Sequence, residues 1–130
     1  MHPVIPELLA FGDVALLFLR LLVAAIFLSS GLNHLRDPVG RGASIGMSPG
    51  FTRVLGGAEV AGSLGVAVGI FVQLAALGLI AIMLGAIQKK IFVWHTGFWG
   101  DRGYGWHYDL MLVVMNLVIL TTGGGRLVLY

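Results

Sequence analysis

Two ionisable residues sit where a charge is expensive to hold. Arg20 interrupts the apolar run Val14–Leu35, and Glu59 interrupts the apolar run Phe51–Val72. A charged side chain near the centre of a bilayer costs at least a few kcal/mol on insertion scales, so such residues face the protein interior and find partners. Arg20 lies in the half of its run nearer the termini, and Glu59 in the half nearer the loops. Counting the helical rise from each midpoint puts their backbones about 10 Å apart in depth. Two long side chains can close that gap with the help of helix tilt, so a buried Arg20–Glu59 ion pair is expected. It serves either to fix helix register or to line a polar cavity for a ligand or a proton.

A second group collects at the loop side. His34, Lys89, Lys90, His95, His107 and Asp109 should lie near one surface, with Trp94, Phe98, Trp99, Tyr104, Trp106 and Tyr108 around them. Trp and Tyr favour the headgroup region, so one reading is an aromatic belt. The other is a mouth for an amphipathic ligand such as a quinone, whose ring stacks on aromatics while its carbonyls take hydrogen bonds. The candidate ligand residues are His34, Lys89, His95, Trp99, Trp106, His107 and Asp109. A metal site is not expected: His107 and Asp109 are two apart and point in different directions on a helix, and no ligand-spacing motif joins the histidines. Nucleophile-elbow, phosphate-loop and dinucleotide fingerprints are absent.

The elements that must position these residues are set by solvent preference. Of 130 residues 58% are hydrophobic and 11% charged, and the mean hydropathy is +0.95. A water-soluble surface calls for about a quarter charged. Four apolar stretches, about 14–35, 51–72, 74–93 and 107–122, each suit a single membrane crossing of about 20 residues. Helix is the expected structure, because only a helix satisfies its own backbone in lipid. The fold class expected is an all-α membrane protein, a bundle of four transmembrane helices forming one domain. Glu7 and Asp13 precede the first run without a basic residue, which argues for a retained anchor rather than a cleaved signal peptide. There is no cysteine, so disulfides and thiolate chemistry are excluded. The net charge of +2 is scattered, and nucleic acid is not an expected partner.

Packing and orientation follow. Arg20, Ala24, Phe27, Gly31 and His34 share one stripe that should face the bundle. Ala58, Gly62, Gly65 and Gly69 form a small-residue stripe that lets backbones approach, serving a close intramolecular helix pair or a homo-oligomer seam. Arg36, Arg41, Arg53, Lys89, Lys90 and Arg102 fall on the loop face, against Arg126 alone on the other. The positive-inside rule then places loops 36–50 and 94–106 in the cytoplasm and both termini outside.

The run Leu17-Phe18-Leu19-Arg20-Leu21-Leu22, with Ile26-Phe27-Leu28 and Gly31 after it, resembles the first helix of the DoxX family. Leu55-Gly56-Gly57-Ala58-Glu59-Val60-Ala61-Gly62, followed by Val68-Gly69-Ile70-Phe71, resembles its second helix. His95-Thr96-Gly97-Phe98-Trp99-Gly100 and Trp106-His107-Tyr108-Asp109-Leu110 are similar to its last loop and fourth-helix start, and Gly123-Gly124-Gly125-Arg126-Leu127 to its Gly-rich ending. The resemblance implies a four-helix protein of a prokaryotic inner membrane, with Arg20, Glu59 and Asp109 as its polar positions. Some members are membrane subunits of thiosulfate:quinone oxidoreductase, and others associate with redox-stress proteins. This chain ends in Val128-Leu129-Tyr130 where many relatives place an acidic residue, and it lacks the cysteines of some thiol-active cousins.

Two function classes emerge. In one, the chain is the membrane subunit of a quinone-linked redox complex that anchors a catalytic protein partner. In the other, it is a non-catalytic scaffold or assembly factor. No haem, iron–sulfur or flavin signature is present, so the chain is not expected to catalyse electron transfer alone; any electron cofactor belongs to a partner.

Overall fold

The computed structural model describes residues 4–100 and 105–128, and among these every regular element is helical. A short 3-10 turn, Pro6–Phe11, leads into α1 (Gly12–Arg36). Helix α2 (Pro38–Ile45) is short, α3 spans Pro49–Val68 and α4 spans Val72–Gln88. Lys89–Val93 continues α4 as a π-helical turn, and α5 covers Trp106–Thr122. Arg102 and Tyr104 lie outside the described residues.

Local chemistry sets these boundaries. The segment 36–50, a loop by sequence, contains α2. Asp37 accepts from the Gly40 amide at 3.0 Å as N-cap, Pro38 sits in the first turn, and Gly46 closes the helix at φ +71°. Ser48 and Pro49 start α3 in the same way, the Ser48 hydroxyl accepting from the Phe51 amide. Helix α3 stops at Val68, four residues short of the expected end, because Gly69 adopts φ +87° as a left-handed cap. Three further left-handed glycines, Gly123, Gly124 and Gly125, turn the chain back after α5.

The four long helices form a ring: α1 packs mainly on α3, α4 mainly on α5, and α3–α4 and α1–α5 contacts close it. Val23, Phe27, Val66, Ala76, Leu79, Leu112 and Ile119 fill the centre. The α1 stripe Arg20, Ala24, Phe27, Gly31 and His34 is buried throughout. The tightest crossing is Gly31 against Gly56: a Cβ on either would come within 2.8 Å of the other's carbonyl oxygen. Gly62 and Gly65 instead meet α4 at Leu79 and Ala75. Ala58 is exposed on the outer side of that same groove, and Gly69 is a cap against Val128 rather than part of a helix face.

Two helices, Pro6–Arg36 and Val72–Val93, are long and apolar enough to cross a membrane, and Trp106–Thr122 is a shorter apolar helix. Helix α3 is diluted by Arg53, Glu59 and its glycines.

Candidate functional site

Arg20 and Glu59 do not pair. The Arg20 guanidinium is buried, and its Nε donates to the Val66 carbonyl at 2.9 Å and its Nη2 to the Ala67 carbonyl at 3.1 Å. Its Nη1 donates to the carbonyls of Gly124 (3.2 Å) and Leu127 (2.7 Å). The expected ion pair is therefore replaced by a carbonyl cage. The reason is the left-handed end of α3: its last turn carries unsatisfied carbonyls and the negative end of the helix dipole, and the glycine reversal brings two more carbonyls to the same point. These acceptors lie at the depth of Arg20, whereas Glu59 is about two helical turns away along α3.

Glu59 answers to a different set. It is 2% exposed, and its Oε2 has no hydrogen-bond partner. The Ser30 hydroxyl is placed to donate to the carboxyl group, and His34 and Arg41 act on it electrostatically. It lines a cavity of about 520 Å³ between α1, α3, α4 and the π turn. Most of that wall is apolar, from Phe51, Leu55, Ala81, Ile82, Met83 and Ala86. Polar atoms come from Ser30, His34, Glu59, Lys89 and Lys90, and Trp94 stands at the loop end. His34 Nδ1 lies 2.7 Å from the Ser30 carbonyl. A carbonyl only accepts, so Nδ1 carries the proton and Nε2 is the nitrogen left for a ligand.

The π turn positions the two lysines. Its wider hydrogen bonding, with the Trp94 amide donating to the Lys89 carbonyl at 2.8 Å, rotates the residues that follow relative to an α-helix. Lys90 Nζ then reaches Asp109 Oδ2 on α5 at 2.8 Å. Asp109 is nearly fully buried, so this ion pair ties α4 to α5 beside the cavity.

The structure divides the candidate ligand residues into two groups. His34 and Lys89 line the Glu59 cavity, and Asp109 is linked to it through Lys90. Trp99, Trp106 and His107 belong to a separate aromatic cluster around Phe98. Phe98 meets Trp99 and Trp106 edge-on at 4.8 and 4.6 Å, and His107 lies 5.7 Å from it, ring to ring. His107 Nδ1 donates to the Phe98 carbonyl at 2.8 Å, pinning the loop to the start of α5. His95 is exposed in that loop at φ +52° and lines a surface pocket with Trp94, Phe98 and Trp99, on the aromatic side and outside the Glu59 cavity. Sequence reasoning missed Ser30, the Lys90–Asp109 pairing and the apolar walls. Ser30, at i−4 from His34 and on the bundle side of α1, was the one legible signal.

The DoxX family model matches residues 15–96. The chain belongs to the DoxX family. No curated protein and no solved structure matches it. The DoxX match runs from α1 to the loop after the π turn and takes in every residue lining the Glu59 cavity, while Asp109 falls beyond it. DoxX membership together with the two long apolar helices makes this a membrane protein. Lipid is then the medium against which exposed side chains such as Phe18, Leu22, Leu74 and Leu77 lie. Among the described residues of this DoxX protein, no cluster of three or more His, Cys, Asp or Glu is arranged to hold a metal ion.

Proposed function

We propose that this DoxX protein is an inner-membrane subunit of a redox assembly that houses a quinone-class ligand in the Glu59 cavity. Its electron cofactor is carried by a protein partner. The observation that carries the reading is the Glu59 oxygen left without a partner in a mostly apolar cavity. A buried polar atom without a partner costs about 1–3 kcal/mol, and a ligand hydroxyl is the group that relieves it. A hydroquinone offers that hydroxyl, an apolar ring for the walls, and oxygens for His34 Nε2 and the lysines. The cavity volume falls within the few hundred to about 1,000 Å³ typical of small-molecule sites.

In this reading all four long helices cross the bilayer. Helix α3 is held in place by its glycine crossing with α1 rather than by hydropathy. Loops 36–50 and 94–106 face the cytoplasm, where the lysines and Arg41 meet the positive-inside bias. The aromatic cluster of Phe98, Trp99, Trp106 and His107 then sits at the headgroup level. The resemblance to quinone-linked subunits points the same way.

The test is purification in mild detergent followed by lipid extraction. Quinone should be retained by the wild-type protein and depleted in Gly85→Leu, which fills open space along the cavity wall. Equal quinone in both, with complex assembly unaltered, would instead favour a non-catalytic scaffold.

A further inference from the structure

A second cavity, of about 300 Å³, adjoins the first. Its walls come from α1, α2, α4 and α5 and include Ser29, Ser30, Asn33, Arg41, Tyr108 and Asp109. Ser30 and Met83 line both spaces. The two differ in chemistry. The Glu59 cavity is walled mostly by carbon, whereas the second is walled largely by hydroxyl, amide and charged groups, with exposed Ser29 and Asn33 at its edge. A polar space of this size holds several waters, each occupying about 30 Å³.

We propose that Ser30 is a proton gate between these cavities, linking buried Glu59 to water at the loop-side surface. Three observations converge on it. Glu59 is a buried titratable group in a mostly apolar cavity, with one oxygen unpartnered. The Ser30 hydroxyl is the side chain placed to hydrogen-bond its carboxyl group. That same Ser30 lines the polar cavity that leads outward past Asn33 and Arg41.

The step conserves charge and atoms. The Glu59 O–H bond breaks as its proton passes to the Ser30 oxygen, while the Ser30 hydroxyl proton passes to a water in the second cavity. The carboxyl becomes a carboxylate, and the extra proton moves along water to the surface. Serine returns to its starting form by rotation of its hydroxyl. The charged and titratable groups facing this path are His34 on α1, Arg41 on α2, Lys89 and Lys90 on the π turn, and Tyr108 and Asp109 on α5. The gate extends the proposed ligand site, since a hydroquinone bound at Glu59 must shed protons, but its operation rests on Glu59 and Ser30 alone.

The experiment is a pH jump on the full chain in lipid nanodiscs, followed by time-resolved infrared spectroscopy of the Glu59 carboxyl band. That band is assigned by its absence in Glu59→Gln. Ser30→Ala should slow Glu59 proton exchange by about tenfold or more, and Ser30→Thr, which keeps the hydroxyl, should stay close to wild type. Gly85→Leu, which fills the ligand cavity, should leave the exchange rate unchanged even where it abolishes quinone retention. Equal rates in wild type and Ser30→Ala would overturn the gate. So would slowing by Gly85→Leu, which would show that the proton travels through the ligand cavity. A protein that binds no quinone yet shows the Ser30 effect would reject the ligand reading and leave the gate standing.

Discussion

Arg20 Nε donates to the Val66 carbonyl at 2.9 Å, about two turns along α3 from the buried carboxyl of Glu59. Arg20 and Glu59, both buried among the helices, thus belong to opposite halves of the molecule. Arg20 closes the terminal half by gathering the end of α3 and the returning C-terminal segment, and Glu59 lines the loop-side half. Arg20→Leu should destabilise the protein by at least about 3 kcal/mol, because four carbonyls lose their charged donor. Glu59→Leu should act independently. The double variant should equal the sum of the singles within about 0.5 kcal/mol in a detergent unfolding cycle. A coupling well above that would restore a direct pair.

The α1 stripe, the four apolar segments and the family were legible because they rest on composition and on the 3.6-residue period, which lipid enforces. The partner of Arg20 was not legible. Its acceptors are main-chain carbonyls, which every residue carries, and they are gathered only when Gly69 and Gly123–Gly125 take left-handed conformations. The π turn was hidden for a related reason: Lys89–Val93 reads as ordinary helix, yet the added residue in that turn is what aims Lys90 at Asp109. The candidate ligand residues shared a depth, and depth alone could not separate His34 and Lys89 on the cavity from His107 and Trp99 in the aromatic cluster. That division depends on which side of the ring each helix end faces.

The α1–α3 crossing makes a sharp comparison among glycines. Gly31→Ala and Gly56→Ala each place a methyl group within 2.8 Å of a backbone oxygen and should cost about 1–3 kcal/mol. Gly57→Ala and Gly85→Ala meet nothing within 4 Å and should be neutral or stabilising by up to about 1 kcal/mol. Thermal unfolding in one detergent ranks the four. Equal effects would show that the backbones do not approach as described.

The Lys90–Asp109 pair is set between a nearly buried carboxylate and a lysine that is 19% exposed. Asp109→Leu and Lys90→Met should each loosen α4 from α5. The combined variant should be milder than the sum, by a coupling of about 1–3 kcal/mol, since each single change strands its partner. Trp106 and His107 lie on the same end of α5, so hydrogen exchange in the 105–112 segment should rise in the singles and less in the double.

Orientation has its own measurement. A reporter that fluoresces only in the cytoplasm should stay dark when fused after Tyr130 and light up when inserted in loop 36–50. The reverse pattern would invert the topology and remove the cytoplasmic exit for protons from Glu59.

The most direct measurement is a titration of the purified protein with a short-tailed hydroquinone. Binding is followed by quenching of Trp94 at the cavity rim in a Trp99→Phe, Trp106→Phe background. Saturable quenching is predicted, weakened about tenfold or more by Glu59→Gln, the equivalent of about 1.4 kcal/mol for one hydrogen bond to the carboxyl group. Quenching that never saturates, or that saturates identically with glutamine at position 59, would contradict a ligand held by that carboxyl group.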